Sequence, residues 1–136
     1  AIKLTQSNQN DPTNVRVLDT ASIPEVPSPL SDNGYLYFIK NGGILTCLEI
    51  STGKRIYRLR TPGRGTHYAS PLIAGQKLYT ISGAGLISVL TLGPDPKILT
   101  TNDMRNEVYA SPAVVDGTLY VRTHTTLYAF KNSPKR

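Results

Sequence analysis

Tryptophan is absent from the 136 residues, cysteine and methionine occur once each, and histidine and phenylalanine twice. A single cysteine, Cys47, excludes an internal disulfide and any cysteine-rich zinc site. It stands in the apolar run Ile44-Leu45-Thr46-Cys47-Leu48 and reads as a small buried hydrophobe, so it assigns no redox compartment. No apolar stretch approaches the roughly 18 residues of a membrane span. The charged-then-apolar pattern of a secretory signal is missing as well. Ala1 stands where an initiator Met would, as in a processed or truncated product. Acidic residues are scarce, with nine Asp and Glu against fifteen Lys and Arg, for a net charge of +6. Such an excess raises the question of nucleic acid. Outside the cluster Lys54, Arg55, Arg58, Arg60 and the tail Lys131, Lys135, Arg136, however, the basic residues stand singly between apolar positions. No exposed aromatics interleave with them as a base-stacking platform requires. The expectation is no nucleic-acid partner and no transmembrane segment.

What the chain does have is repetition. Ser28-Pro29-Leu30 recurs as Ser70-Pro71-Leu72 and again as Ser111-Pro112-Ala113, at a nearly constant interval. Leu36-Tyr37, Leu78-Tyr79 and Leu119-Tyr120 follow in the same register. A period of about 40 to 45 with several short strands per unit marks a β-propeller blade. Proline cannot donate to a β-ladder, so each Ser-Pro is placed at the beginning of a strand, where the chain enters a blade. Turn residues then divide the first unit: Asp32-Asn33-Gly34, Asn41-Gly42-Gly43 and Ser51-Thr52-Gly53-Lys54 separate four strands. The second unit turns at Gly75-Gln76, Gly83-Ala84-Gly85 and Gly93-Pro94-Asp95-Pro96. The third turns at Asp116-Gly117 and Thr123–Thr125 and stops after its third strand.

The expected architecture is all-β, with about three blades: residues 24–62, 63–104 and an incomplete 105–136 that ends in a basic tail. Residues 1–23 supply two strand-like runs, Ala1–Leu4 and Val15–Leu18, around a polar loop. They are expected to complete a preceding blade or the third blade of another copy. Three blades do not close a ring comfortably, so the partner is expected to be further blades of the same protein, a second copy or another protein. Consecutive apolar positions in Leu72-Ile73-Ala74, Ala113-Val114-Val115 and Leu127-Tyr128-Ala129-Phe130 predict burial on both faces of these strands.

These motifs resemble the PQQ-like (pyrroloquinoline-quinone-type) β-propeller repeat. The resemblance rests on Tyr68-Ala-Ser-Pro71 with Gly75-Gln-Lys-Leu-Tyr79, and on Tyr109-Ala-Ser-Pro112 with Asp116-Gly-Thr-Leu-Tyr120. It extends to Gly43–Gly53 followed by Tyr57, similar to the family signature that ends in Thr-Gly and is followed by Trp. It implies a bacterial, exported propeller, periplasmic or envelope-associated, and a place in the non-enzymatic, BamB-like branch. Tyr57 in the first unit and Leu99 in the second are expected where the family docks a tryptophan. The repeat residues expected to be structural are Ser28, Pro29, Ser70, Pro71, Ser111, Pro112, Gly53 and Tyr57.

The family's enzymes need a flat tryptophan floor for the quinone and an adjacent cysteine pair, and this chain has neither. Asp103 and Glu107, four apart, form the one carboxylate cluster, which a polar loop between blades explains. No Ser/His/Asp or His/Cys spacing points to catalysis or metal binding. The Gly-rich Pro62-Gly-Arg-Gly-Thr66 lacks the strand-to-helix setting and Lys-Ser/Thr ending of a phosphate loop. No catalytic, cofactor or metal residues are therefore assigned. In a four-stranded blade the second hairpins and the blade-to-blade connections fall on one side of the disc. Lys40, Arg64, His67, Arg105, Arg122 and His124 should share that side as a candidate interaction face, with both histidines at the surface. The other side receives a mixed set that includes Asp32, Lys54, Lys77, Asp95, Lys97 and Asp116. The function expected is a non-catalytic scaffold for protein interaction in the cell envelope. The alternatives are a fragment of a quinoprotein oxidoreductase whose site lies in other blades, and a carbohydrate- or anion-binding module that uses the basic side.

Overall fold

A computed structural model describes residue 21 and residues 23–131. The expected strands Ala1–Leu4 and Val15–Leu18, and the basic residues Lys135 and Arg136, lie outside these. The described chain holds eleven strands and no helix, so none of it crosses a membrane as an apolar helix. The first sheet is β1 (Leu30–Asp32), β2 (Tyr35–Lys40), β3 (Ile44–Glu49) and β4 (Arg55–Arg60). The second is β5 (Leu72–Ala74), β6 (Lys77–Ile81), β7 (Leu86–Thr91) and β8 (Ile98–Asp103). The third is β9 (Ala113–Val115), β10 (Thr118–Arg122) and β11 (Leu127–Lys131). Within each sheet the strands pair with their neighbours in chain order, antiparallel throughout. These are propeller blades.

Local chemistry sets the hairpins. Each first turn holds two residues at positive φ: Asn33 and Gly34 at 45° and 82°, Gly75 and Gln76 at 54° and 57°, Asp116 and Gly117 at 48° and 71°. Two such residues in a row make the tight turn whose twist matches the strands it joins. Each Ser-Pro lies immediately before a first strand and links the blades. Ser28 N–H donates to Ser70 Oγ at 2.9 Å, and Ser70 N–H donates to Ser111 Oγ at 2.8 Å. The repeated Ser-Pro is thus a ladder with one rung per blade junction.

Apolar packing follows the same order. Tyr37, Ile39, Leu45 and Cys47 of the first sheet meet Leu78 and Leu90 of the second in one buried cluster. Ile81, Ile87 and Val89, from the other side of the second sheet, meet Val121 of the third together with Ala69 and Val108 of the connections. Alternate residues of β6 and β7 therefore serve different neighbours, and these inner strands are buried on both sides, whereas the outer strand β8 is exposed throughout. The third sheet differs from expectation. Val115, Leu127 and Phe130 are 56%, 68% and 45% exposed, and all three residues of β9 are exposed. Tyr120, Leu127 and Val115 point to the side opposite the second sheet, where no described sheet covers them. A continuous apolar run is buried on both faces only where it has two neighbours.

The register corrects one further expectation. Tyr57 lies opposite Cys47, whereas Thr100 lies opposite the corresponding Val89, so Thr100 and not Leu99 is the counterpart of Tyr57. Seven residues separate Leu90 from its partner Ile98, against six between Leu48 and Arg55. The extra residue moves the outer strand by one position. Leu99 is left 49% exposed, while Tyr57 packs on the first cluster.

Two expected outcomes test this packing. Ser70→Ala and Ser111→Ala each remove a rung acceptor and should cost about 0.5–1 kcal/mol in urea unfolding. Ser28→Ala removes no rung and should change stability by less than about 0.5 kcal/mol. Thr80 and Ser88 face each other on the side of the second sheet that meets the first, and their buried hydroxyls have no hydrogen-bond partner. Thr80→Val, isosteric and apolar, should raise stability by about 1 kcal/mol by the same measurement.

Candidate interaction face

Backbone hydrogen bonds press each second hairpin against a blade-to-blade connection. Gly42 N–H donates to Gly65 O at 2.7 Å, and Thr61 N–H to Gly43 O at 2.8 Å. At the next junction Gly83 N–H reaches Thr66 O at 2.7 Å and Val108 N–H reaches Gly83 O at 3.1 Å. His124 N–H donates to Glu107 O at 2.8 Å. The approach is so close that a Cβ on Gly43 would meet Gly63 O, and one on Gly85 would meet Asn106 O. Both glycines have positive φ, 71° and 89°. Only glycine satisfies the dihedral and the contact together.

The second hairpins and the connections therefore share one side of the stack, and the six residues named from the sequence all belong to these segments. Lys40 ends β2 and is half-buried, and Arg122 ends β10 and is exposed. Arg64 and Arg105 project from the two connections, and His124 from the third hairpin, all exposed. Arg105 has φ 52°, held by its own N–H donating to Asp103 Oδ1 at 2.8 Å. Asp103 is thus a turn residue, and Glu107 sits beside the Tyr109 hydroxyl. That neighbouring carboxylate is the main cause of the upward shift of the Tyr109 phenol.

His67 is not at the surface. It is 2% exposed, its backbone N–H donates to Asn41 Oδ1 at 2.8 Å, and its Nδ1 lies 3.3 Å from Gly65 O. The carbonyl assigns the ring proton to Nδ1 and leaves Nε2 buried without a partner. Chain order alone puts His67 in an outer loop. The hydrogen bond from its own backbone to the first sheet's hairpin turns the ring inward, as its counterpart Val108, 0% exposed, is turned.

The residues that sequence reasoning passed over on this side are Tyr68 and Tyr109. They occupy equivalent positions two residues before Ser70 and Ser111, are 40% and 48% exposed, and touch edge to face with centroids 5.0 Å apart at 80°. Val26, two before Ser28, is 59% exposed. The recurrence of Tyr-Ala-Ser-Pro one period later was the available signal, since equivalent positions in adjacent blades lie side by side.

No family model matches the chain, and no curated protein matches it by sequence. Among solved structures, BamB from Moraxella catarrhalis superposes with a TM-score of 0.64 at 24% identity, over 83% of this chain and 35% of that one. The fold is a PQQ-like propeller. The computationally designed Ika4 protein matches at 0.61 with 14% identity, over 77% of this chain and 64% of its own. Quinohemoprotein alcohol dehydrogenase from Comamonas testosteroni matches at 0.60 with 15% identity, over 74% of this chain and 17% of the enzyme. The chain spans about a third of the BamB length and a smaller part of the dehydrogenase. Proteins of different kinds thus share this propeller, and a fold hosts more than one function.

Burial lowers the pKa of His67, and the Gly65 carbonyl opposes that shift only in part. The folded chain disfavours the proton that the unfolded chain takes up near its ordinary value of about pH 6.5. Stability is therefore complete above that value and falls as the pH drops from there toward the folded pKa. The urea midpoint should be lower at about pH 5.5 than at about pH 7.5. His67→Val, which installs the residue found at position 108, should make the two midpoints closely similar.

Proposed function

We propose that the chain is a non-catalytic, BamB-like propeller segment that serves as a protein-interaction scaffold in the bacterial cell envelope. One observation carries the reading: the exposed edge-to-face pair Tyr68 and Tyr109, with Val26 at the matching position of the first blade, on the side that also presents Arg64, Arg105 and His124. Inward-packed repeat residues explain the fold without these side chains. Tyrosine and arginine are among the residue types that dominate the binding energy of protein interfaces. Stacked blades give such side chains a rigid base, so little ordering is lost on association. The exported location rests on the resemblance of the repeat motifs to envelope propellers.

The reading is tested with the full chain as bait for cross-linking in envelope extracts, followed by affinity measurement on the purified partner. Tyr68→Ser with Tyr109→Ser should weaken that affinity at least about tenfold. Lys54→Ser on the opposite side should leave it unchanged. Calorimetry with pyrroloquinoline quinone and calcium, run beside a dye-reduction assay, separates the alternative. A saturable quinone site with dye reduction would replace the scaffold by an oxidoreductase fragment.

A further inference from the structure

The other side of the stack, away from the basic connections, carries a cleft between the first and second sheets. It measures about 460 Å³, within the range of small-molecule sites. Its apolar part is Tyr35, Ile73 and Leu92, half-buried residues on the outer margin of the first buried cluster, over the fully buried Tyr37. The two tyrosine rings lie 6.4 Å apart and tilted by 54°, and Tyr37 is fixed because its hydroxyl accepts the Gly93 N–H at 2.9 Å. The polar part is Asp32, Asn33 and Gln76 from two first turns. Asn33 Nδ2 donates to Asp32 Oδ2 at 2.9 Å, which orients the carboxylate and leaves Oδ1 free to accept from a ligand.

The repeat provides an internal comparison. A cleft of about 340 Å³ lies in the equivalent place between the second and third sheets. There Ala74 stands for Asp32, Gly75 for Asn33, Lys77 for Tyr35 and Gly117 for Gln76, as the matching registers of the first two strands show. Turn chemistry accounts for Asn33, whose place the third blade fills with Asp116 at a like φ. The fold is built equally well, however, with alanine at the place of Asp32 and glycine at that of Gln76, so these two side chains answer to something other than packing. Gln76 supplies a second, independent observation. Its φ of 57° is one that glycine adopts freely and glutamine rarely, and the other two blades place Gly34 and Gly117 there. A strained residue retained on the rim of a cleft is a pointer to binding.

We propose that the cleft between the first and second blades binds a neutral saccharide. A pyranose has an apolar C–H face and a rim of hydroxyls. The C–H groups suit the electron-rich face of the half-buried Tyr35 ring, which rests against the buried Tyr37. Adjacent hydroxyls need an acceptor and a donor together, which the Asp32 carboxylate and the amides of Asn33 and Gln76 provide. This site is independent of the scaffold reading, because it uses the opposite side of the stack and none of the same residues.

Cellobiose and N,N′-diacetylchitobiose are the probes, titrated into the full chain by calorimetry and by amide chemical-shift mapping. Saturable binding is expected with at least one of them, with shifts at residues 32–35, 76 and 91–93. Asp32→Ala and Gln76→Gly, each the residue that a sister blade carries, should weaken binding roughly fivefold or more. Gln76→Gly should do so without lowering the urea midpoint, since it removes backbone strain. Tyr68→Ser with Tyr109→Ser should leave saccharide binding unchanged. No saturable response to either disaccharide overturns the proposal, and so does a response that both cleft substitutions leave intact.

Discussion

A blade is a sheet with two apolar faces, and neither face is stable in water alone. The contact between successive sheets is therefore the constraint on which the rest of this structure depends. Leu78 and Leu90 look one way from the second sheet, and Ile81, Ile87 and Val89 look the other. The inner strands of the middle sheet are consequently buried on both sides, while its outer strand β8 is exposed along its length and the third sheet keeps Val115 and Leu127 exposed. The Ser28, Ser70, Ser111 ladder adds direction to this non-directional packing, because each rung joins the same atom types in the same order.

Stacking also decides where chemistry can be displayed. The second hairpins and the connections are locked together through backbone groups, with Gly43 and Gly85 allowing the approach. Some side chains in these segments hold the backbone, as Asn41 and Asp103 do, or turn inward, as His67 does, and the rest are left for display. Arginines and tyrosines that stay outside thus stand on a rigid base. On the opposite side the first turns open onto clefts between blades, and the two clefts differ in side chains while sharing a backbone plan. Divergence at matched positions in one chain is informative because geometry is held constant while residue type changes.

Much of this was legible beforehand. Ser-Pro and Leu-Tyr motifs recurring in one register place the first and second strands of every blade, and the glycine and asparagine pairs place the turns between them. The outer strands were less legible. One additional residue in the turn before Ile98 exchanges the roles of Leu99 and Thr100, and a strand's side chains alternate, so a shift of one changes the face. Sequence spacing cannot count such a residue without knowing where the pairing resumes.

By itself, the sequence determined the fold class, the strand order within each blade and the side of the stack to which each loop belongs. These follow from local turn chemistry and a repeat period, both of which act between near neighbours in the chain. Tertiary structure alone decided that His67 is buried while Tyr68 beside it is exposed, that Tyr109 touches Tyr68 from the next blade, and that Asp32 and Gln76 share one cleft. Each of these depends on how one blade is rotated and seated against the next. That seating is set by the summed packing of whole sheet faces, which no short stretch of sequence encodes.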